Sequence, residues 1–178
     1  YPNGAENFTP GASQTITWDN AGISSNQTVE FSLDNGSNWT TISSSVPATT
    51  TRLVWTVPAG ANTSTELVRI SSGATTDVSD ATFNIMGLPV LSVVTTPACD
   101  AGEISYTWAA VTNATHYDIY RLDQAPGNFV IMASNIVGTG HTVTGLTPGA
   151  TIWAALVAKN NTTGSVGLRS NAVSGVVS

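Results

Sequence analysis

Apolar and polar residues alternate over short stretches all along this chain, and those stretches are rich in Thr, Val, Ile and Trp. Nowhere do apolar residues return at the i, i+3, i+4, i+7 positions of an amphipathic helix over a dozen helix-favouring residues. A strand turns successive side chains to opposite faces, so the pattern predicts strands with one face buried. In the first half the alternating runs are Thr15-Ile16-Thr17-Trp18, Val29-Glu30-Phe31-Ser32-Leu33, Leu53-Val54-Trp55-Thr56-Val57, Val68-Arg69-Ile70 and Thr82-Phe83-Asn84-Ile85. Their inward set is Ile16, Trp18, Val29, Phe31, Leu33, Leu53, Trp55, Val57, Val68, Ile70, Phe83 and Ile85. Between the runs, Asp34-Asn35-Gly36-Ser37 predicts a hairpin turn, because Asn and Gly tolerate positive φ, and Pro58-Ala59-Gly60 stops the strand before it.

The second half continues with Glu103-Ile104-Ser105-Tyr106-Thr107-Trp108, Tyr117-Asp118-Ile119-Tyr120, Phe129-Val130-Ile131-Met132, His141-Thr142-Val143 and a long run from Ile152 to Ala158. Short strands spaced by about 8 to 12 residues and separated by Gly, Pro and Asn predict sandwiches. Each half holds enough strands for one, and Met86-Gly87-Leu88-Pro89 has the Gly and Pro of a boundary. The expectation is therefore an all-β chain of two tandem immunoglobulin-like β-sandwiches, residues 1–87 and 88–178, arranged end to end across a short connector.

Residues 88–178 resemble a fibronectin type III domain. Pro97 leads into Ile104-Ser105-Tyr106-Thr107-Trp108, similar to the B strand whose tryptophan anchors the core. Ala114-Thr115-His116-Tyr117-Asp118-Ile119-Tyr120-Arg121 is similar to the C strand, and Gly145-Leu146-Thr147-Pro148-Gly149-Ala150-Thr151 to the E-to-F corner. Gly167-Leu168-Arg169-Ser170-Asn171-Ala172-Val173 is similar to the last strand and its approach. One departure stands out: the place of the corner tyrosine, whose hydroxyl bonds to the backbone in this family, is held by Ile152, followed by Trp153.

Residues 1–87 resemble, more loosely, an immunoglobulin-like module of large exported bacterial proteins. The stretches that carry this are Tyr1-Pro2-Asn3-Gly4, Ile16-Thr17-Trp18, Ser32-Leu33-Asp34-Asn35-Gly36-Ser37-Asn38-Trp39, Trp55-Thr56-Val57-Pro58 and Ser79-Asp80-Ala81-Thr82-Phe83-Asn84-Ile85. The resemblance implies an accessory segment of a secreted or cell-surface protein, beside a catalytic domain or within an adhesin.

Composition narrows the partners. Only 9% of the 178 residues are charged, so Ser, Thr, Asn and Gly must supply solubility, as suits an extracellular protein. A net charge of -6, with the basic residues scattered at Arg52, Arg69, Arg121, Lys159 and Arg169, gives no footprint for a phosphate backbone or an anionic membrane. No apolar run is long enough for a membrane span, and the first residues have no signal-peptide character, so a mature or excised piece is expected. Cys99 is the one cysteine and forms no internal disulfide. The Asn-x-Ser/Thr triplets, such as Asn7-Phe8-Thr9, Asn38-Trp39-Thr40 and Asn160-Asn161-Thr162, follow from composition.

Candidate chemistry is sparse. Neither His116 nor His141 lies in a motif that pairs a base with a nucleophile, and lone Cys99 reads as a small buried hydrophobe; no catalytic residue is assigned and no enzyme is expected. No cofactor is called for. The metal to consider is calcium, because Asp34, Asn35 and Asn38 crowd one turn and Asp77 and Asp80 another, although Asp and Asn also build turns and the spacing matches no EF-hand loop. An intramolecular isopeptide bond needs a buried lysine, and Lys159 has outward parity.

Polysaccharide binding needs exposed aromatics on which sugar rings stack. If Ile152, Ala154, Leu156 and Ala158 face the core, Trp153 faces outward; Tyr120 does likewise, because Tyr117 and Ile119 point in. The fold expected from the resemblance makes their strands neighbours, so Trp153 and Tyr120 are the candidate binding pair. Trp18, Trp39, Trp55 and Trp108 read as core anchors. The sequence thus points to a non-catalytic spacer or interaction module whose partners are the flanking domains of its parent protein. The alternative is a carbohydrate-binding or adhesive module that uses Trp153 and Tyr120 to engage polysaccharide or a cell-surface protein.

Overall fold

The computed structural model describes residues 1–61, 63–94, 101–122 and 129–178, and all regular structure in them is β. In chain order the strands are β1 Asn7–Phe8, β2 Ser13–Thr17, β3 Gln27–Ser32, β4 Thr40–Val46, β5 Arg52–Thr56, β6 Thr63–Ser72, β7 Thr75–Val78 and β8 Phe83–Ile85. They continue as β9 Leu91–Val93, β10 Ile104–Trp108, β11 His116–Leu122, β12 Phe129–Ile136, β13 Gly140–Val143, β14 Thr151–Asn160, β15 Ser165–Arg169 and β16 Val173–Val176. The chain divides into two compact units, Tyr1–Met86 and Gly87–Ser178.

Unit 1 packs a sheet ordered β1-β8-β6-β3-β4, with β7 also on β6, against the pair β2-β5. Alternation fixes its core: Ile16, Val29, Phe31, Trp55, Val57, Val68, Phe83 and Ile85 are buried, and Trp18, Leu53 and Ile70 pack against them half-buried. The rings of Phe31 and Trp55 (5.3 Å between centroids) and of Phe8 and Phe83 (5.2 Å) tilt against each other at spacings favourable for aromatic pairs.

Two expected core residues lie elsewhere. Leu33 is 37% exposed, because β3 ends at Ser32 and the chain turns there, which breaks the alternation that would carry Leu33 inward. Buried Ser32 holds that turn, its hydroxyl donating to Asp34 Oδ1 at 2.8 Å and accepting from Gly36 N at 2.9 Å. Trp39 lies outside the core, half-buried under the Arg69 guanidinium at 4.2 Å, and Arg69 in turn forms an ion pair with Glu30 at 2.6 Å. The hairpin turn itself sits where the sequence places it, with Asn35 and Gly36 at φ of 55° and 84°.

Unit 2 packs β13-β10-β9 against β12-β11-β14-β15, with β16 also on β14. Ile104, Tyr106 and Trp108 from one sheet meet Tyr117, Ile119, Ile152, Ala154, Leu156 and Ala158 from the other, all buried. With no tyrosine at the corner, the backbone closes it. Leu146 N donates to Gly102 O at 2.9 Å, Gly149 N to Val177 O at 3.0 Å, and Gly102 N to Ser178 O at 2.7 Å. A side-chain latch exists at another loop, where Val111 N donates to Tyr117 Oη at 2.8 Å.

Candidate functional site

The candidate pair sits on the outward face of the larger sheet of unit 2. On β11 and β14, Tyr120 stands opposite Ala155 and Arg121 opposite Ala154. Residues directly opposite share a face, so Trp153, two residues from Ala155, lies on the same face as Tyr120 at a diagonal position, about 7 to 8 Å away. Trp153 is 52% exposed, whereas Tyr120 is half-buried. The structure therefore places the two on one face, with Trp153 the more accessible ring.

That face carries more apolar surface than the two aromatics. Ile131 on β12 stands opposite Tyr120, Phe129 stands opposite Leu122, and both are exposed. Across the sheet, the Arg169 guanidinium of β15 lies 3.4 Å above the Phe129 ring. Since β15 and β12 flank β14 and β11, this contact spans the face on which Ala155 and Val157 point outward and are buried. At the end of the same face, Lys159 Nζ lies 3.1 Å from Oδ2 of buried Asp118, whose Oδ1 accepts Asn135 N at 2.9 Å. The outward lysine is thus engaged in an ion pair, a partner that parity alone did not reveal.

In the oxygen-rich turns of unit 1, Asp34 and Asp80 are taken up by internal bonds. Asp34 Oδ1 accepts from Asn38 N at 2.8 Å and Oδ2 from Asn38 Nδ2 at 2.5 Å. These Asn38 bonds, with a smaller share from Ser32, hold its carboxyl below the usual carboxylate range. Asp80 Oδ2 accepts Asn3 Nδ2 at 2.6 Å, and Asp80 N donates to Asn3 Oδ1 at 3.0 Å. Asn35 N bonds Thr65 O near the start of β6, whereas Asp77 stands opposite Ile70 near its end, so the two groups lie apart. Among the described residues, no three His, Cys, Asp or Glu side chains gather as a metal site would need.

His116 is on β11, its Nδ1 2.9 Å from Thr115 Oγ1, and His141 is on β13 in the other sheet. Cys99 and Pro97 fall outside the described residues. Three buried residues, Glu66, Tyr106 and Trp108, bring polar atoms to inward places in alternating strands, where parity gives the direction of the side chain and not the fate of its polar end. Among the described residues, neither carboxyl oxygen of Glu66, nor Tyr106 Oη, nor Trp108 Nε1 has a hydrogen-bond partner. Burial pushes Glu66 up to about 8 and Tyr106 up to about 12.

No protein-family model matches the chain, and neither does any curated protein sequence. Solved structures do match. A segment of two fibronectin type III domains from chicken tenascin aligns with a TM-score of 0.50 at 13% identity, over 94% of this chain and 93% of that one. The FN1–FN3 domains of chicken CNTN1 align at 19% identity and TM-score 0.41 over 97% of this chain, which spans 62% of that one. A Fn3-like protein from Clostridium thermocellum aligns at 26% identity and TM-score 0.42 over 50% of this chain and 88% of that one. The tenascin likeness speaks to fold: this is an all-β chain of tandem immunoglobulin-like sandwiches, the second of fibronectin type III type.

Proposed function

We propose that the chain is a non-catalytic accessory module, a spacer or protein-interaction segment, of a secreted or cell-surface multidomain protein. The observation that carries this is the division into two successive compact units, each with a core of its own, joined through Gly87-Leu88-Pro89. On this reading the first unit is an immunoglobulin-like domain of the kind found in exported bacterial proteins, and the working partners are the flanking domains of the parent. The sparse charge and the Ser, Thr and Asn content agree with an extracellular setting. Single-molecule energy transfer between dyes at the two ends tests the spacer role. A single narrow distance distribution is expected, and a broad one, like that of a flexible tether, would overturn it.

A second reading, carbohydrate or cell-surface adhesion through unit 2, is favoured by the exposure of Trp153 on the face it shares with Tyr120. An indole standing free on a sheet offers a flat apolar surface on which a sugar ring can stack. Pull-down on insoluble polysaccharides, with Trp153→Ala as the control, tests it. Retention of the parent chain and loss by the variant is expected; failure of the parent chain to bind any polysaccharide removes the reading.

A further inference from the structure

β7 is an edge strand, paired with β6 alone. Asp77 stands opposite Ile70 and therefore on the inward face of its sheet, yet every β7 residue is exposed. Among the described residues the facing sheet of unit 1 has two strands, and the sandwich is open along this side. Two cavities occupy the opening, about 270 and 150 Å³ in volume, and both are lined by Trp18, Asp19, Ile70 and Asp77. The two adjoin along these four residues, which line a slot with Trp18 and Ile70 as its apolar groups and Asp19 and Asp77 as its acidic ones.

The slot is built to hold its shape and leaves its charge unanswered. Trp18 Nε1 donates to Gln27 Oε1 at 2.6 Å, which fixes the indole. Asp19 Oδ1 takes one long bond from Ala21 N at 3.3 Å, and the Asp77 carboxylate has no hydrogen bond or ion pair among the described residues. Among the described residues, no lysine, arginine or histidine side chain lines either cavity. At about 270 and 150 Å³, each cavity lies below the range of about 300 to 1,000 Å³ usual for small-molecule pockets and suits a single long side chain. We propose that this slot receives an arginine or lysine side chain from another polypeptide. The aliphatic stem lies against Trp18 and Ile70, and the cationic head meets Asp77 and Asp19, with the indole face adding its own attraction for the cation.

The test is a ¹⁵N titration of the full chain at low salt with Nα-acetyl-arginine methylamide, the matching lysine compound and the uncharged citrulline compound. Saturable shifts of the Trp18 Nε1–H and of the Ile70 and Asp77 amides are expected from the two cations and none from citrulline. Asp77→Asn should weaken arginine binding by about fivefold, the size of an exposed charge pair, while urea unfolding of the variant stays unchanged. Equal responses to arginine and citrulline would overturn the proposal. So would shifts produced by calcium chloride and not by arginine, or the absence of any saturable shift.

Discussion

Glu66→Gln tests the energetics of unit 1 most directly. Glu66 alternates with Val68 and Ile70 on the inward side of β6, stands opposite buried Phe83, and is 0% exposed with neither oxygen partnered. An ionised carboxylate in such a place loses more by giving up its hydration than nearby backbone groups restore, so the folded chain keeps the proton. Burial is the leading cause of its rise from 4.5 to about 8, opposed by nearby backbone groups of Glu66, Thr63 and Thr65. Unfolding returns the group to its ordinary range. The contribution of Glu66 is therefore least unfavourable below the unfolded value and worsens as pH climbs through the window up to about 8. At pH 7 the cost of holding the proton is about 3 kcal/mol, taking about 1.4 kcal/mol for each pH unit above the unfolded value. A glutamine, neutral at every pH and similar in shape, removes that dependence. Urea unfolding followed by amide resonances of β3 and β6 at pH 4, 5.5, 7 and 8 is the assay. The variant should match the parent near pH 4 and exceed it by about 3 kcal/mol at pH 7. Parallel profiles for the two proteins, or a less stable variant at pH 7, would refute the reasoning.

Buried Gln27 answers three groups at once: it accepts Trp18 Nε1 and donates to Pro47 O and Thr50 O, both at 3.2 Å. Gln27→Ala should cost about 2 to 4 kcal/mol in urea unfolding, since it orphans buried donors and acceptors and leaves a void. Tyr106→Phe should leave unit 2 as stable or up to about 1 kcal/mol more stable, because it deletes an unpartnered hydroxyl; a clear loss would reveal a partner for Oη. Gly102 sits at φ +88°, and a Cβ there would lie 2.9 Å from Leu146 O. Gly102→Ala should accordingly cost at least about 2 kcal/mol, through strain in the left-handed region and displacement of the corner, read as a fall in the thermal midpoint of unit 2.

Alternation made most of the buried faces legible. The runs that became β2, β3, β5, β8, β10, β11 and β14 each bury one apolar set, and those residues form the two cores. The strands missed are those where the signal is weak. Thr40–Val46 lies at a sheet edge and buries only its last residue, β7 buries nothing, and β1 is too short to alternate. Leu33 failed because parity holds only while a strand lasts, and Trp39 because an indole is equally at home beneath a guanidinium. Of the candidate site, parity put Trp153 and Tyr120 on one face. It gave no hint that Arg169 would cross that face to Phe129, a contact that depends on the order of strands rather than on any local pattern. The open slot beside β7 was illegible for the same reason: nothing in Thr75-Thr76-Asp77-Val78 says that the opposite sheet stops at two strands.

β1 and β8 give unit 1 a mechanical property. They run parallel, with Asn7 beside Asn84 and Phe8 beside Ile85, and are joined by bonds from Ala5 N to Thr82 O, Asn84 N to Glu6 O and Met86 N to Phe8 O. Tension applied through the two ends of the unit drags one strand backward and the other forward along their common axis. The cross-links between them are then sheared together and share the load, whereas an antiparallel pair pulled from one end opens one bond at a time. A unit clamped in this way is expected to yield abruptly, instead of unravelling gradually, when it is pulled by its ends.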